Sequence, residues 1–267
     1  MSETHRIEHD SMGPVEVPST ARYGAQTQRA LNNFTISTEP LPVAFIHALL
    51  LIKQAAAEAN RDLGLLPPEK AAVIILAVKA LLQNGIGEHF PVPVYQTGSG
   101  TSSNMNANEV ISSMAREAGI DVSPNDDVNR GQSSNDVIPS ALHVATALKL
   151  HTEVVPALAA LAEQITILAE KHLHVIKTGR THLMDALPMR LSDELGSWAA
   201  QLGDVQARCY DVLTRLSELP LGGTAIGSGV NSHPQFGSTA AGYLNAETGM
   251  NFTVMSSPFK GISSIDS

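Results

Sequence analysis

The sequence holds a single cysteine, Cys209, so neither an intramolecular disulfide nor a cysteine-rich metal site can form, and a reducing, cytoplasmic setting fits. Positive charge is also scarce. Lys and Arg total 17 against 26 Asp and Glu, a net charge of -9, which argues against nucleic acid or anionic lipid as the main partner. Unbroken apolar runs such as Leu49 to Ile52 and Ala71 to Val78 are too short to cross a bilayer, so no membrane partner is expected. The first thirty residues carry Glu3, Glu8, Asp10 and Glu16 with no apolar core, unlike a secretory or transit peptide. His172 and His174 have strand-like spacing with no carboxylate cluster to support them, so no metal and no cofactor is expected.

What is present is a long, apolar, helix-rich chain. Its 267 residues, 43% hydrophobic and 16% charged, can bury the core of one large or two ordinary domains. The first forty residues, broken by Gly13, Pro14, Pro18, Gly24, Pro40 and Pro42, read as an extended or short-stranded arm. Helices are expected over 43–63, 68–83 and 104–118, stopped by Gly64, Asn84-Gly85 and Gly119. A loop covers 121–131, and 134–174 is nearly unbroken Ala, Leu and Val at helical spacing, interrupted by Pro139 and Pro156. The same character returns over 190–219 after a loop at 179–188, and a shorter helix follows near 234–248. The expected fold is mainly α: an N-terminal mixed domain with short strands over 1–132, then a long-helix bundle domain over 133–267 that continues into other subunits.

Three polar clusters lie at the ends of these helices: Gly98-Ser99-Gly100-Thr101, Gln132-Ser133-Ser134-Asn135-Asp136 and Gly179-Arg180-Thr181-His182. Neutral donors at helix starts suit an anion, since the unpaired N–H groups and the dipole both favour negative charge there. An N-cap alone also accounts for Ser133, Ser134 and Asn135, and the two roles can coexist. Imidazole, the side chain that changes charge nearest neutrality, makes His182 the acid-base candidate of the third cluster. Arg180 suits either substrate or an ion pair. The glycine loop Leu221 to Gly229 lacks the lysine and strand of a phosphate loop and reads as a link between helices.

Together with Glu8-His9-Asp10-Ser11-Met12-Gly13, Tyr23-Gly24-Ala25-Gln26-Thr27-Gln28-Arg29, Gln96 to Asn106 and Leu183-Met184-Asp185-Ala186, these clusters resemble the class II fumarate hydratase family over essentially the whole chain. The resemblance implies a homotetramer built on a central bundle of long helices, with each active site drawn from three subunits. It implies reversible hydration of fumarate to L-malate in the tricarboxylic acid cycle, with fumarate and L-malate as ligands. In it, His182 does acid-base chemistry through an activated water, and Ser99, Gly100, Thr101, Ser133, Ser134, Asn135 and Thr181 bind the dicarboxylate. It further implies an accessory carboxylate site at Ser123, Pro124, Asn125 and Asp126, where Ser123 replaces the histidine common in the family. Aspartate ammonia-lyases share several motifs but carry glutamine where His182 stands, which favours hydration. The family's second catalytic residue, a serine on a glycine-serine loop that also bears a lysine and an asparagine, matches nothing after Gly229. The chain is therefore expected to be a fragment with little activity alone; a non-catalytic remnant acting in assembly or binding is the other expectation.

Overall fold

The computed structural model describes residues 4–265; Glu3 and the outer ends of both expected domains lie outside them. Two compact units are present among the described residues, one formed by 4–145 with 217–265 and the other by 146–216. The mainly helical class with short N-terminal strands is the one expected from the sequence.

The first unit opens with an antiparallel hairpin, β1 (His5–Asp10) and β2 (Gly13–Pro18), closed by Ser11 and Met12. Gly13 has φ +104°, a value that side-chain-bearing residues resist, and Asp10 Oδ1 accepts the Met12 N–H at 2.8 Å. Arg29 grips the Asp10 carboxylate with both its Nε, at 2.8 Å, and its Nη2, at 3.0 Å, and this bond holds the carboxyl below its usual range. Arg29 belongs to α1 (Ala25–Asn33), a helix where an extended arm was expected. Its sequence offers no local capping side chain, which is why it is hard to read. The cap comes from far along the chain: Glu109 accepts the backbone N–H groups of Gly24, Gln26 and Thr27 and the Thr27 hydroxyl at 2.6–3.0 Å. A carboxylate at a helix start satisfies orphan donors and the dipole together.

The core lies around α2 (Val43–Asp62), whose Ala48, Leu49, Leu50, Ile52, Ala56 and Ala59 are fully buried. Small alanines let α3 (Pro68–Asn84), α4 (Thr101–Glu117) and α8 (Phe236–Thr248) pack closely on it. Pro68 starts α3, and Gly85 at φ +84° ends it. Helix α4 begins at Thr101, three residues before the expected start, because Gly100 takes the left-handed conformation at φ +66° and turns the chain directly into the helix. Near the close of the unit, β5 (Glu218–Leu219) pairs in parallel with β6 (Thr253–Val254), and α9 (Pro258–Ser263) follows.

Helix α5 (Ser134–Lys149) starts in the first unit. The second unit contains a wide π-type turn at Leu150–Val154, α6 (Val155–Lys171), a hairpin of β3 (Ile176–Thr181) and β4 (Met184–Arg190), and α7 (Leu191–Leu216). The loop expected over 179–188 is in fact this hairpin, with a bulge at Gly179, where a Cβ would lie 2.9 Å from the Leu187 carbonyl oxygen. Helices α6 and α7 pack on each other, yet Leu161, Leu168, Trp198 and Tyr210 remain 44–52% exposed. By length and composition the helical stretch Ser134–Lys171 is apolar enough to cross a membrane, with mean hydropathy 1.4 in its most apolar window. The earlier expectation counted unbroken runs, whereas an averaged window tolerates scattered polar residues. One such helix is weak evidence of a membrane span, since helices of soluble proteins pass the same test.

Removing the Glu109 carboxylate should expose this dependence of α1 on a distant residue. Glu109→Ala is expected to lower unfolding free energy by about 1–3 kcal/mol in urea titration, and an unchanged midpoint would contradict the capping role.

Candidate active site

Two of the three polar clusters meet inside the first unit. The Ser99 hydroxyl lies 2.9 Å from that of Thr101, and Thr101 Oγ1 lies 2.8 Å from Ser134 Oγ, so three hydroxyls form one row across the starts of α4 and α5. Ser99 and Thr101 are exposed, while Ser133, Ser134 and Asn135 are half-buried. Gly100 stands between the hydroxyls for a steric as well as a conformational reason: a Cβ there would come within 2.9 Å of the Ile138 side chain. This contact brings α4 onto the first turns of α5.

The start of α5 is locked by reciprocal caps. Ser133 Oγ accepts the Asn135 N–H at 3.2 Å, and Asp136 Oδ1 accepts the Ser133 N–H at 2.8 Å. The other oxygen of Asp136 accepts the N–H groups of Gly222, at 3.0 Å, and Thr224, at 2.9 Å, and Asn135 Nδ2 donates to the Ala225 carbonyl at 2.8 Å. The glycine loop that read as a simple link is therefore fastened to the helix start. Thr224 accepts a left-handed φ of +57° to reach this position. Ser133 and Asn135 thus have structural bonds beside any binding role.

Beneath the cluster lies a residue that the polar motifs did not reveal. Lys53 of α2 is fully buried and donates to Asn129 Oδ1 and Gln132 Oε1, each at 3.0 Å. Burial lowers its pKa from 10.5 to about 7, against the opposing pull of Asp136. Burial likewise pushes the Asp136 carboxyl up, opposed by its three N–H donors and by Lys53. A lysine directly after the apolar run of 48–52, with only Gln54 polar beside it before Ala55 to Ala57, was the available signal.

Thr181 and His182 lie at the exposed tip of the hairpin in the second unit. His182 has φ +50° and Leu183 φ +62°, so a two-residue turn of the primed type is made from residues that disfavour it. Holding both residues in the left-handed region carries a conformational cost. Arg180 pairs with Asp185 at 3.0 Å across the hairpin, in line with its ion-pair alternative.

Ser123, Pro124, Asn125 and Asp126 form the entry to a π-type turn, Pro124–Val128. Ser123 caps it by accepting the Asp126 N–H at 3.1 Å. Asp127, which accepts the Ser123 N–H, pairs with Lys70 at 2.6 Å, so a cation comes to this loop from α3. Asn125 and Asp126 border a cavity of about 630 Å³ together with Asn60, Arg130 and His233. Among the described residues no group of three or more His, Cys, Asp or Glu could hold a metal ion.

A family profile described as Lyase matches residues 13–267. The class II fumarate hydratase of Xylella fastidiosa (strain 9a5c) is 50% identical over 266 residues, covering 99% of this chain and 56% of that protein. The class II fumarate hydratase of Halobacterium salinarum is 51% identical over 258 residues, 94% of this chain and 55% of its own length. The crystal structure of the recombinant class II fumarase from Schistosoma mansoni superposes with a TM-score of 0.93 at 34% identity, over 97% of this chain and 59% of that one. The chain thus spans little more than half the length of these relatives.

The buried lysine sets a pH dependence with a definite sign. Because its folded pKa of about 7 lies below the free value of 10.5, the unfolded chain binds the extra proton between those values, and Lys53 makes stability rise with pH across that window. Below it, the full cost of the buried cation is present. Lys53→Met should remove this rise, read as the wild-type-minus-variant difference in unfolding free energy against pH; a difference that falls across the window would contradict the assignment.

Proposed function

Because the chain belongs to the lyase family matched over residues 13–267, we propose that it carries part of the active site of a class II fumarate hydratase, a carbon-oxygen hydro-lyase interconverting fumarate and L-malate in the tricarboxylic acid cycle. The observation that carries this reading is the row of hydroxyls joining Ser99, Thr101 and Ser134 at two helix starts. The names of the relatives supply its substrate.

Hydration needs a base that takes a proton from water as its oxygen bonds to one alkene carbon, and a proton delivered to the other carbon. Between those events negative charge accumulates on the carboxylate beside the second carbon. Ser99, Gly100, Thr101, Ser133, Ser134, Asn135 and Thr181 bind the dicarboxylate, and their hydroxyl and amide donors favour the charge-accumulating species over the ground state. His182 acts through a water as the acid-base group. Its place in the strained hairpin turn supports a functional role. Ser123, Pro124, Asn125 and Asp126 form the accessory carboxylate site, with Arg130, whose Nη1 donates to the Asp126 carbonyl at 3.3 Å, as the cation beside it in place of the family histidine.

The division at residue 132 into an N-terminal domain and a helical-bundle domain belongs to the assembled protein, a cytoplasmic homotetramer. Exposed Leu161, Trp198 and Tyr210 on the α6 and α7 pair support burial by further subunits. With the protein as its gene encodes it, fumarate hydration should far exceed aspartate deamination, and His182→Asn should lower kcat by about 10²-fold or more with the oligomer intact by sedimentation. Unchanged turnover in that variant would overturn the role of His182, and preferred aspartate turnover would overturn the hydratase reading.

A further inference from the structure

The candidate carboxylate site has a physical gap. Its donors at Ser99, Thr101, Ser133, Ser134 and Asn135 are all neutral, and the protein carries a net charge of -9. An anion bound there gains from hydrogen bonds and the helix start, but works against the field of the whole chain. The buried amine below the helix start bears on this gap.

Lys53 is placed by acceptors whose orientation is fixed. The Asn129 side-chain NH2 donates to the Gln132 carbonyl at 3.3 Å, and the Gln132 NH2 donates to the carbonyls of Val128 and Arg130 at 3.0 and 3.2 Å. Both amide oxygens are thereby turned to the Lys53 amine, and Asn129 Oδ1 also accepts Asn104 Nδ2 of α4 at 3.1 Å. Gln132 directly precedes Ser133, so the amine bonds the residue that delivers the chain into α5. We propose that Lys53 is the positioning residue of this site: its ammonium fixes the turn that presents Ser133, Ser134 and Asn135, and it supplies the positive charge that those donors lack.

The ammonium form binds two amide oxygens more strongly than the neutral amine does, and the geometry of the α5 start therefore follows the protonation of Lys53. Burial brings that protonation into the neutral range. Several other charged and titratable groups on the neighbouring elements are engaged elsewhere. Lys70 of α3 pairs with Asp127, Glu109 of α4 caps α1, Glu247 of α8 accepts from Gln54, and His143 of α5 bonds the Glu218 carbonyl. Among the described residues Asp136 is the one whose charge acts on Lys53.

Only the ligand arm of this inference rests on the carboxylate reading above. The test is an NMR titration of the 267-residue chain, following the Lys53 Nζ and the backbone amides of Ser133, Ser134 and Asn135 against pH, with and without succinate as a non-reacting dicarboxylate. The amides are expected to shift with the midpoint of Lys53, and succinate affinity to weaken by up to about tenfold per pH unit above it. Lys53→Arg, which keeps its charge throughout, should flatten both profiles. Amides indifferent to the titration of Lys53, or a profile retained in Lys53→Arg and thus owed to another group such as His143, would overturn the proposal. If the amides follow Lys53 but succinate binds at no pH, the positioning role stands and the carboxylate reading falls.

Discussion

One buried carboxylate, that of Asp136, organises the first unit's polar centre. It is inaccessible to solvent, closes the cap on α5 through the Ser133 N–H, and with its second oxygen binds Gly222 and Thr224, nearly ninety positions away. A buried carboxylate is tolerated only when its acceptor sites are filled, and filling these requires the helix start and the glycine loop to arrive together. Once Asp136 is satisfied, Ser134 is placed against Thr101, and Asn135 is held by the Ala225 carbonyl. The arrangement of neutral donors is a consequence of that constraint.

Much of this was legible in the sequence because it depends on local rules. Apolar periodicity and glycine or proline stops placed α2, α3 and α8 to within a few residues, and hydroxyl and amide residues at helix starts marked the clusters at 99–101 and 133–135. What stayed hidden was long-range. Helix α1 has no local cap because Glu109 supplies it from α4. The hairpin at 176–190 was obscured because its turn uses His182 and Leu183 at positive φ, where Asn or Gly would have announced it. Lys53 sits in an alanine-rich helix with nothing beside it to show that Asn129 and Gln132 come to it from the segment before α5, more than seventy positions on.

The contrast between the two units is itself informative. The first buries large side chains such as Phe236 and Phe252 and holds the buried Lys53 and Asp136 by hydrogen bonds. The second leaves Trp198 and Tyr210 about half exposed on a pair of packed helices and carries its strain at the hairpin tip. A lyase that binds a dianion with hydroxyls and amides needs rigid donors and an acid-base group held separately from them. The proposed assembly assigns those duties to different parts of the chain.

The central claim is that the Asp136-pinned helix start is a receptor for a small dicarboxylate, and amide hydrogen exchange tests it most directly. In the wild-type chain, succinate should slow exchange at Thr101, Ser133, Ser134 and Asn135 together, and in Asp136→Asn this joint protection should be lost while the α2 core stays protected. Exchange at those four amides that ignores succinate in the wild type, or joint protection that persists in Asp136→Asn, would contradict the account.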